Sequence, residues 1–321
     1  MKAGLRRVLV FFSVLVASSS VAFAAEPPVL LVYGFQPIPG FRATVLWADV
    51  AERLAGRPIV STRTIEIETG HNLFHLPAGD AEHRDVFLSD YALPYEPTVR
   101  DLRFYADRLA DEIAWITDAA AVPEVDVVAH SMGALVARAY IEADDFDGVL
   151  GADDFPDYGT EYRGDVRTLI TVAGPHHGAY LVTFGTWLSR LGRQLSPEGT
   201  FLELLNRDRV VDDRLTSLRP DVRYVSMAGQ TCFGCGLRRD EEACLRECVD
   251  AGLAWQGSDL VVLMASAYLP EAENVACIGM DHVDMHAHPV LAETIKGILD
   301  GDPAPNAIYA SPELRTDAPS D

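Results

Sequence analysis

The stretch that most constrains this chain is Val125 to Tyr140, VDVVAHSMGALVARAY. It opens as a short apolar run, Val125, Val127, Val128 and Ala129, set off upstream by Pro123. A run that short and rich in β-branched residues reads as a buried strand. From Met132 the composition turns helical through Ala134, Leu135, Val136, Ala137, Ala139 and Ile141. Ser131 stands between the two, with Ala129 two residues before it and Gly133 two residues after. Such a turn needs small neighbours, because strand and helix approach closely there. The serine hydroxyl is then presented at the end of a sheet, beside the free amides of a helix N-terminus. The plain alternative is a serine that only caps the helix. The strand–turn–helix context favours a nucleophile.

The rest of the chain supplies a sheet around that turn. Val29–Val32 reads as a buried strand after Pro28, and Trp47 to Leu54 as an amphipathic helix. Residues 58–67 suggest an exposed strand and Asp85 to Tyr91 another. Apolar positions 102, 105, 109, 113 and 116 mark a long helix within Val99–Ala120. Later strands are expected over Asp165–Ala173, Val222–Ala228 and Glu273–Ile278, and a last helix over Pro289–Leu299. Strands alternating with helices imply an α/β fold, a mostly parallel sheet flanked by crossover helices. One organising motif favours a single domain over residues 25–300.

A serine hydroxyl is a weak nucleophile at its own pKa, so Ser131 needs a base, and the base needs an orienting acid. Among nine histidines, His282 fits best, because it follows the last strand and a Gly279-Met280-Asp281 turn. His286 and His288 read as structural neighbours of the last helix. Asp281 and Asp284 lie too close to His282 in sequence for the required hydrogen bond and read as surface carboxylates. The oxyanion of a tetrahedral intermediate needs preorganised donors. The amide of Met132, at the start of the helix after Ser131, is one.

Four stretches together resemble the secreted bacterial lipases and esterases of the α/β-hydrolase fold: PVLLVYGF, VDVVAHSMGALVARAY, LITVAGPHHG, and the GSD…DHVDMH pair. The resemblance covers about residues 28–300. It makes Ser131 the nucleophile-elbow serine and implies the chain order Ser, Asp, His. Asp259, in Gly257-Ser258-Asp259, is then the acid, and Phe35 the second oxyanion amide. Family members carry His-Gly after the first strand where this chain has Tyr33-Gly34. By the same resemblance His130 is a packed residue, and His176 and His177 form a structural turn, with a metal-ligand pair as the minor alternative. The implied function is a serine carboxylic-ester hydrolase, foremost a triacylglycerol lipase. An acyltransferase or a polyester depolymerase on the same fold stays open, as does a non-catalytic binding protein. No cofactor or catalytic metal is expected, with structural calcium left open. The expected partner is a lipid or other ester substrate.

The ends of the chain carry their own signals. Lys2, Arg6 and Arg7, the apolar run Val8–Ala17 and Ala22-Phe23-Ala24 describe a secretory signal peptide cleaved after Ala24. The formal net charge is −22, and removal of those three basic residues takes it to −25. That excess repels nucleic acid and anionic surfaces. No membrane anchor is expected in the exported chain, and the oligomeric state is not legible. From Gly301 onward, Pro, Asp and Ser dominate, which suggests a loose tail over 301–321.

Two insertions are expected. Cys232, Cys235, Cys244 and Cys248 fall in C-x2-C-x8-C-x3-C spacing within 230–256. In an exported protein disulfides are the better reading than zinc. A nested pairing across a hairpin is one possibility, with Cys277 free or replacing a partner. The second insertion spans about 179–220. Leu181, Phe184, Trp187, Leu188, Leu191 and Leu195 share one helical face. A further helical segment covers Gly199–Asn206. This region is either a lid over the acyl pocket or an ordinary crossover packed on the sheet.

Overall fold

The computed structural model describes residues 26–34, 43–67, 71–90, 102–142, 161–179, 190–211, 214–231, 258–311 and 314. The expected signal peptide, Phe35, the four clustered cysteines and most of the first lid segment lie outside the described residues.

In chain order the strands are β1 (Val29–Val32), β2 (Arg63–Glu66), β3 (Asn72–Leu76), β4 (Val86–Asp90), β5 (Val125–His130), β6 (Val166–Val172), β7 (Arg209–Val211), β8 (Arg214–Thr216), β9 (Arg223–Gln230), β10 (Glu273–Ile278) and β11 (Ala307–Tyr309). The α-helices are α1 (Ala43–Leu46), α2 (Ala48–Ala55), α3 (Leu102–Ala120), α4 (Met132–Ile141), α5 (Arg190–Gln194), α6 (Thr200–Leu205), α7 (Met264–Ala267) and α8 (Pro289–Leu299). Nine strands form one sheet in the order β11-β10-β9-β6-β5-β1-β4-β3-β2. Pairing is parallel from β11 to β4, and β3 and β2 add antiparallel.

The central strands are apolar on both faces because both faces are covered. Leu30, Val32, Val127, Ala129 and Leu169 pack with Leu109, Ile113 and Leu135 of α3 and α4. Val29, Leu31, Val128, Ile170 and Val172 pack on the other face with Val50, Leu54, Leu291 and Ile295 of α2 and α8. The two-residue period of the strands thus divides one sheet between two cores. The apolar stripe of α3 at 102, 105, 109, 113 and 116 is buried throughout.

Two expectations change. The exposed strand over 58–67 is shorter than expected, a 3-10 turn followed by β2, and it pairs with a strand not foreseen, β3. Arg63, Thr64 and Glu66 are exposed there, polar chains that guard a sheet edge. Part of the expected tail is ordered: β11 pairs with β10, Ile308 is buried, and so is Leu314. A three-residue strand is too short for its pattern to outweigh the surrounding Pro and Asp residues. In the insertion over 179–220, Leu181, Phe184, Trp187 and Leu188 of the lid face lie outside the described residues, and the part from Gly192 to Leu205 packs on the core. Leu195, Phe201, Leu202 and Leu205 join the cluster of α3 and α4, and Gln194 Oε1 accepts the amide of Leu102 at the start of α3 (2.9 Å). A β7–β8 hairpin follows.

Among the described residues, no helix is long and apolar enough to cross a membrane. Cys277 is a free thiol buried in β10.

Candidate active site

Ser131 sits where β5 hands over to α4, with φ 55° and ψ −130°. Positive φ is costly for a residue with a Cβ and persists only where the surroundings enforce it. Here they do. The Ser131 amide donates to Val172 O (2.9 Å), pinning the turn to the end of β6. Gly34, just after β1, lies against the turn. A Cβ there would stand 2.8 Å from Ser131 Cβ and 2.9 Å from Met132 N. Gly133 fits as closely, since a Cβ on it would meet Tyr33 O at 2.8 Å. The small residues around Ser131 are therefore required by contact with the first strand's exit loop. The Met132 amide lies at the N-terminus of α4, beside the serine hydroxyl.

The structure brings His282 and Asp259 to this point. His282 Nε2 lies 2.9 Å from Ser131 Oγ, and His282 Nδ1 lies 2.7 Å from Asp259 Oδ2. A carboxylate only accepts, so Nδ1 carries the proton and the Nε2 lone pair faces the hydroxyl. Asp259 is buried. Its Oδ1 accepts the amides of Val261 (2.9 Å) and Val262 (2.6 Å), and its carbonyl accepts the amide of His282 (2.8 Å). The loop following β10 and the Asp259 loop therefore hold each other through backbone and side chain. Gly229 of β9 makes room for both, since a Cβ there would run into Met285 and stand 2.8 Å from Asp259 Cβ. The arrangement can pass a proton from Ser131 to His282 while Asp259 steadies the imidazolium.

The other candidates lie elsewhere. Asp281 Oδ1 accepts the amides of Val283 and Asp284 (2.8 and 2.7 Å), shaping the turn that carries His282. Asp284 is exposed. His288 caps α8 through Val290 N (3.3 Å). His176 Nε2 bonds Thr171 Oγ1 (3.0 Å) and His177 Nε2 bonds Tyr268 O (3.2 Å). Among the described residues, no group of three His, Cys, Asp or Glu side chains is placed to hold a metal ion.

Sequence reading missed the shell behind His282. His130 Nε2 donates to His282 O (2.9 Å), and the His130 ring lies 4.7 Å from the His282 ring. Tyr33 stacks on His130 at 5.2 Å, and Trp47 and His286 approach edgewise or tilted. Burial, with the neighbouring histidines adding to it, holds His130 well below the ordinary imidazole range. Burial likewise pushes His286 down to about 4. Only the position of His130 next to Ser131 hinted at this shell.

The nine-strand sheet with its serine turn at the end of β5 also settles the architecture. The chain has the α/β-hydrolase fold. A family model described as lipase (class 2) matches residues 109–217, which include Ser131 but not Asp259 or His282. The Bacillus licheniformis lipase BlEst2 in mature form is 18% identical, with a TM-score of 0.52 over 86% of this chain and 92% of that one. Phospholipase PlaB from Legionella pneumophila is 12% identical, with a TM-score of 0.53 over 88% of this chain and 60% of that one. No curated protein sequence matches. These neighbours share the fold, and the match to the lipase (class 2) model covers the part of the chain that carries Ser131.

Proposed function

We propose that this protein is an exported serine carboxylic-ester hydrolase that cleaves acylglycerols through an acyl-enzyme on Ser131. The observation that carries the reading is the continuous hydrogen-bonded line Ser131 Oγ, His282, Asp259, with 2.9 Å and 2.7 Å links. Ser131 Oγ attacks the ester carbonyl carbon, and its proton moves to His282 Nε2. His282 returns that proton to the departing alkoxide as the C–O bond breaks. Water then attacks the acyl-enzyme by the same route in reverse, releasing the fatty acid. The Met132 amide, with the Phe35 amide as its assigned partner, faces the oxyanion. The class 2 lipase match favours acylglycerols over other esters. Export rests on Lys2 through Ala24, and no cofactor enters the chemistry.

The test is hydrolysis of emulsified triacylglycerols and of a soluble ester series by the wild type and Ser131→Ala. Loss of a nucleophile that acts as one unit with its base costs about 10⁶ in kcat. Turnover by Ser131→Ala near the wild-type rate ends the reading, and so does a wild type inert to every acyl ester.

A further inference from the structure

Three buried nitrogens cluster behind His282 with no hydrogen-bond partner among the described residues: Trp47 Nε1, His130 Nδ1 and His286 Nδ1. Trp47 and His130 are fully buried, and His286 is 4% exposed. The three rings are neighbours, with Trp47 edgewise to both histidines and the histidines tilted to each other. Trp47 lies 6.3 Å from each histidine, and the histidines are 5.4 Å apart. One orphaned buried donor or acceptor costs about 1–3 kcal/mol, so three in one cluster call for a shared partner.

The hydrogen bonding sets what that partner must be. His282 O can only accept, so His130 Nε2 carries the proton of that 2.9 Å bond. His130 Nδ1 is then a lone pair. Trp47 Nε1 is a donor only. The partner must accept from an indole and donate to an imidazole, with a further bond left for His286 Nδ1. A water molecule does all three, and buried waters make about three such bonds.

We propose that Trp47, His130 and His286 enclose one buried water, and that this water fixes the tautomer in which His130 holds the backbone carbonyl of His282. His130 is thus a positioning residue for the base. It touches no substrate. It fixes the main chain at the residue whose Nε2 must meet Ser131 Oγ. The Asp259 carbonyl holds the His282 amide and His130 holds the His282 carbonyl, so the residue is clamped on both sides of its Cα. Loss of one clamp lets the ring drift, and a misplacement of about 1 Å can cost about 100-fold in rate.

The inference rests on the esterase reading, and the experiment separates the two. Wild type, His130→Leu, His130→Gln and Trp47→Phe are assayed on a soluble p-nitrophenyl ester, with active sites counted by a fluorophosphonate that labels Ser131. Expected per labelled site, His130→Leu lowers kcat by about 10- to 100-fold with KM nearly unchanged. His130→Gln keeps a donor where Nε2 lay and recovers most of that loss. Trp47→Phe, which deletes the indole N–H and keeps a large ring, lowers kcat by about threefold or more through loss of the water. Wild-type kcat in His130→Leu or in Trp47→Phe overturns the proposal, as does a His130→Gln no better than His130→Leu. Should His130→Leu not fold, Trp47→Phe decides. A wild type that takes no label at Ser131 defeats the esterase reading instead.

Discussion

Asp259 divides its carboxylate between two tasks, and His282 receives only one half. Oδ2 accepts His282 Nδ1–H at 2.7 Å, while Oδ1 accepts the amides of Val261 and Val262. An asparagine cannot do both. With its oxygen toward the backbone, its NH2 faces His282 and forces the proton to Nε2, the wrong tautomer for a base. With its oxygen toward His282, its NH2 meets two backbone donors. Asp259→Asn is expected to lower kcat by about 10⁴ and stability by about 1–3 kcal/mol. Asp281→Asn, whose carboxylate shapes only a local turn, stays within a few-fold of wild type. Ester hydrolysis and urea denaturation of the two variants check this, and near-normal turnover by Asp259→Asn would remove it from the site.

Gly34 presses on the nucleophile turn with no space for a methyl group. The nearest atoms, Ser131 Cβ, Met132 N and His130 O, are backbone or fixed by it. Gly34→Ala must therefore displace either the exit of β1 or the turn itself. The turn carries the Met132 amide proposed to meet the oxyanion, and loss of one such donor costs about 10²–10³ in kcat. A deficit of that order, with labelled sites counted to exclude unfolded protein, is the expected result. An active Gly34→Ala would mean that the Met132 amide is not held in place by this contact.

How much of this was legible follows from the range of each interaction. The β5–Ser131–α4 unit is written in consecutive residues, so its pattern is visible. Helix α8 has the expected bounds, Pro289 and Leu299, and opens on a Pro, whose fixed φ suits a helix start. His282 could be singled out because it follows an apolar strand. The short strands β3 and β11 could not, since strands of three to five residues take their conformation from neighbouring strands. Nor could the clamp on His282, because Trp47, His130 and His286 meet only after three distant chain segments are folded. The lid pattern was ambiguous in principle. Periodicity reports an apolar face and not what covers it.

Acid should destabilise the fold through its buried neutral histidines. Burial holds His176 well below the ordinary imidazole range, and it is wholly buried with Nε2 on Thr171. Its unfolded value is about 6.5. Below that pH the unfolded chain takes up a proton that the folded chain refuses, so stability is full above it and falls as pH drops. The slope is at most about 1.4 kcal/mol per pH unit for each such histidine. Burial raises Glu112, which acts in the opposite sense by binding its proton more readily in the fold. A difference measurement isolates His176: between pH 7 and pH 5, Tm should fall less in His176→Gln than in the wild type. Parallel curves would mean that His176 titrates alike in both states.

Arg138 decides how the segment after α5 behaves. It sits two turns along α4 from Ser131 and is wholly buried, as is Glu142, which it grips through Nε (3.0 Å) and Nη2 (3.2 Å). The same guanidinium donates to Asn206 Oδ1 (2.9 Å) and Leu205 O (2.8 Å), and Asn206 Nδ2 donates to His176 O (2.7 Å). The end of α6 is thus tied to the nucleophile helix and to the turn after β6. Phe201 adds a fully packed ring. Removing one partner of a buried pair strands the other, so Arg138→Ala should cost about 3–5 kcal/mol. Phe201→Ala should cost about 3–5 kcal/mol by leaving a cavity. A lid would respond in the opposite way. Phe201→Ala would then leave the denaturation midpoint almost unmoved while weakening hydrolysis of long-chain esters more than short ones. Urea denaturation beside a chain-length series of esters separates the two, and an unmoved midpoint with altered chain-length preference would return residues 200–206 to the lid.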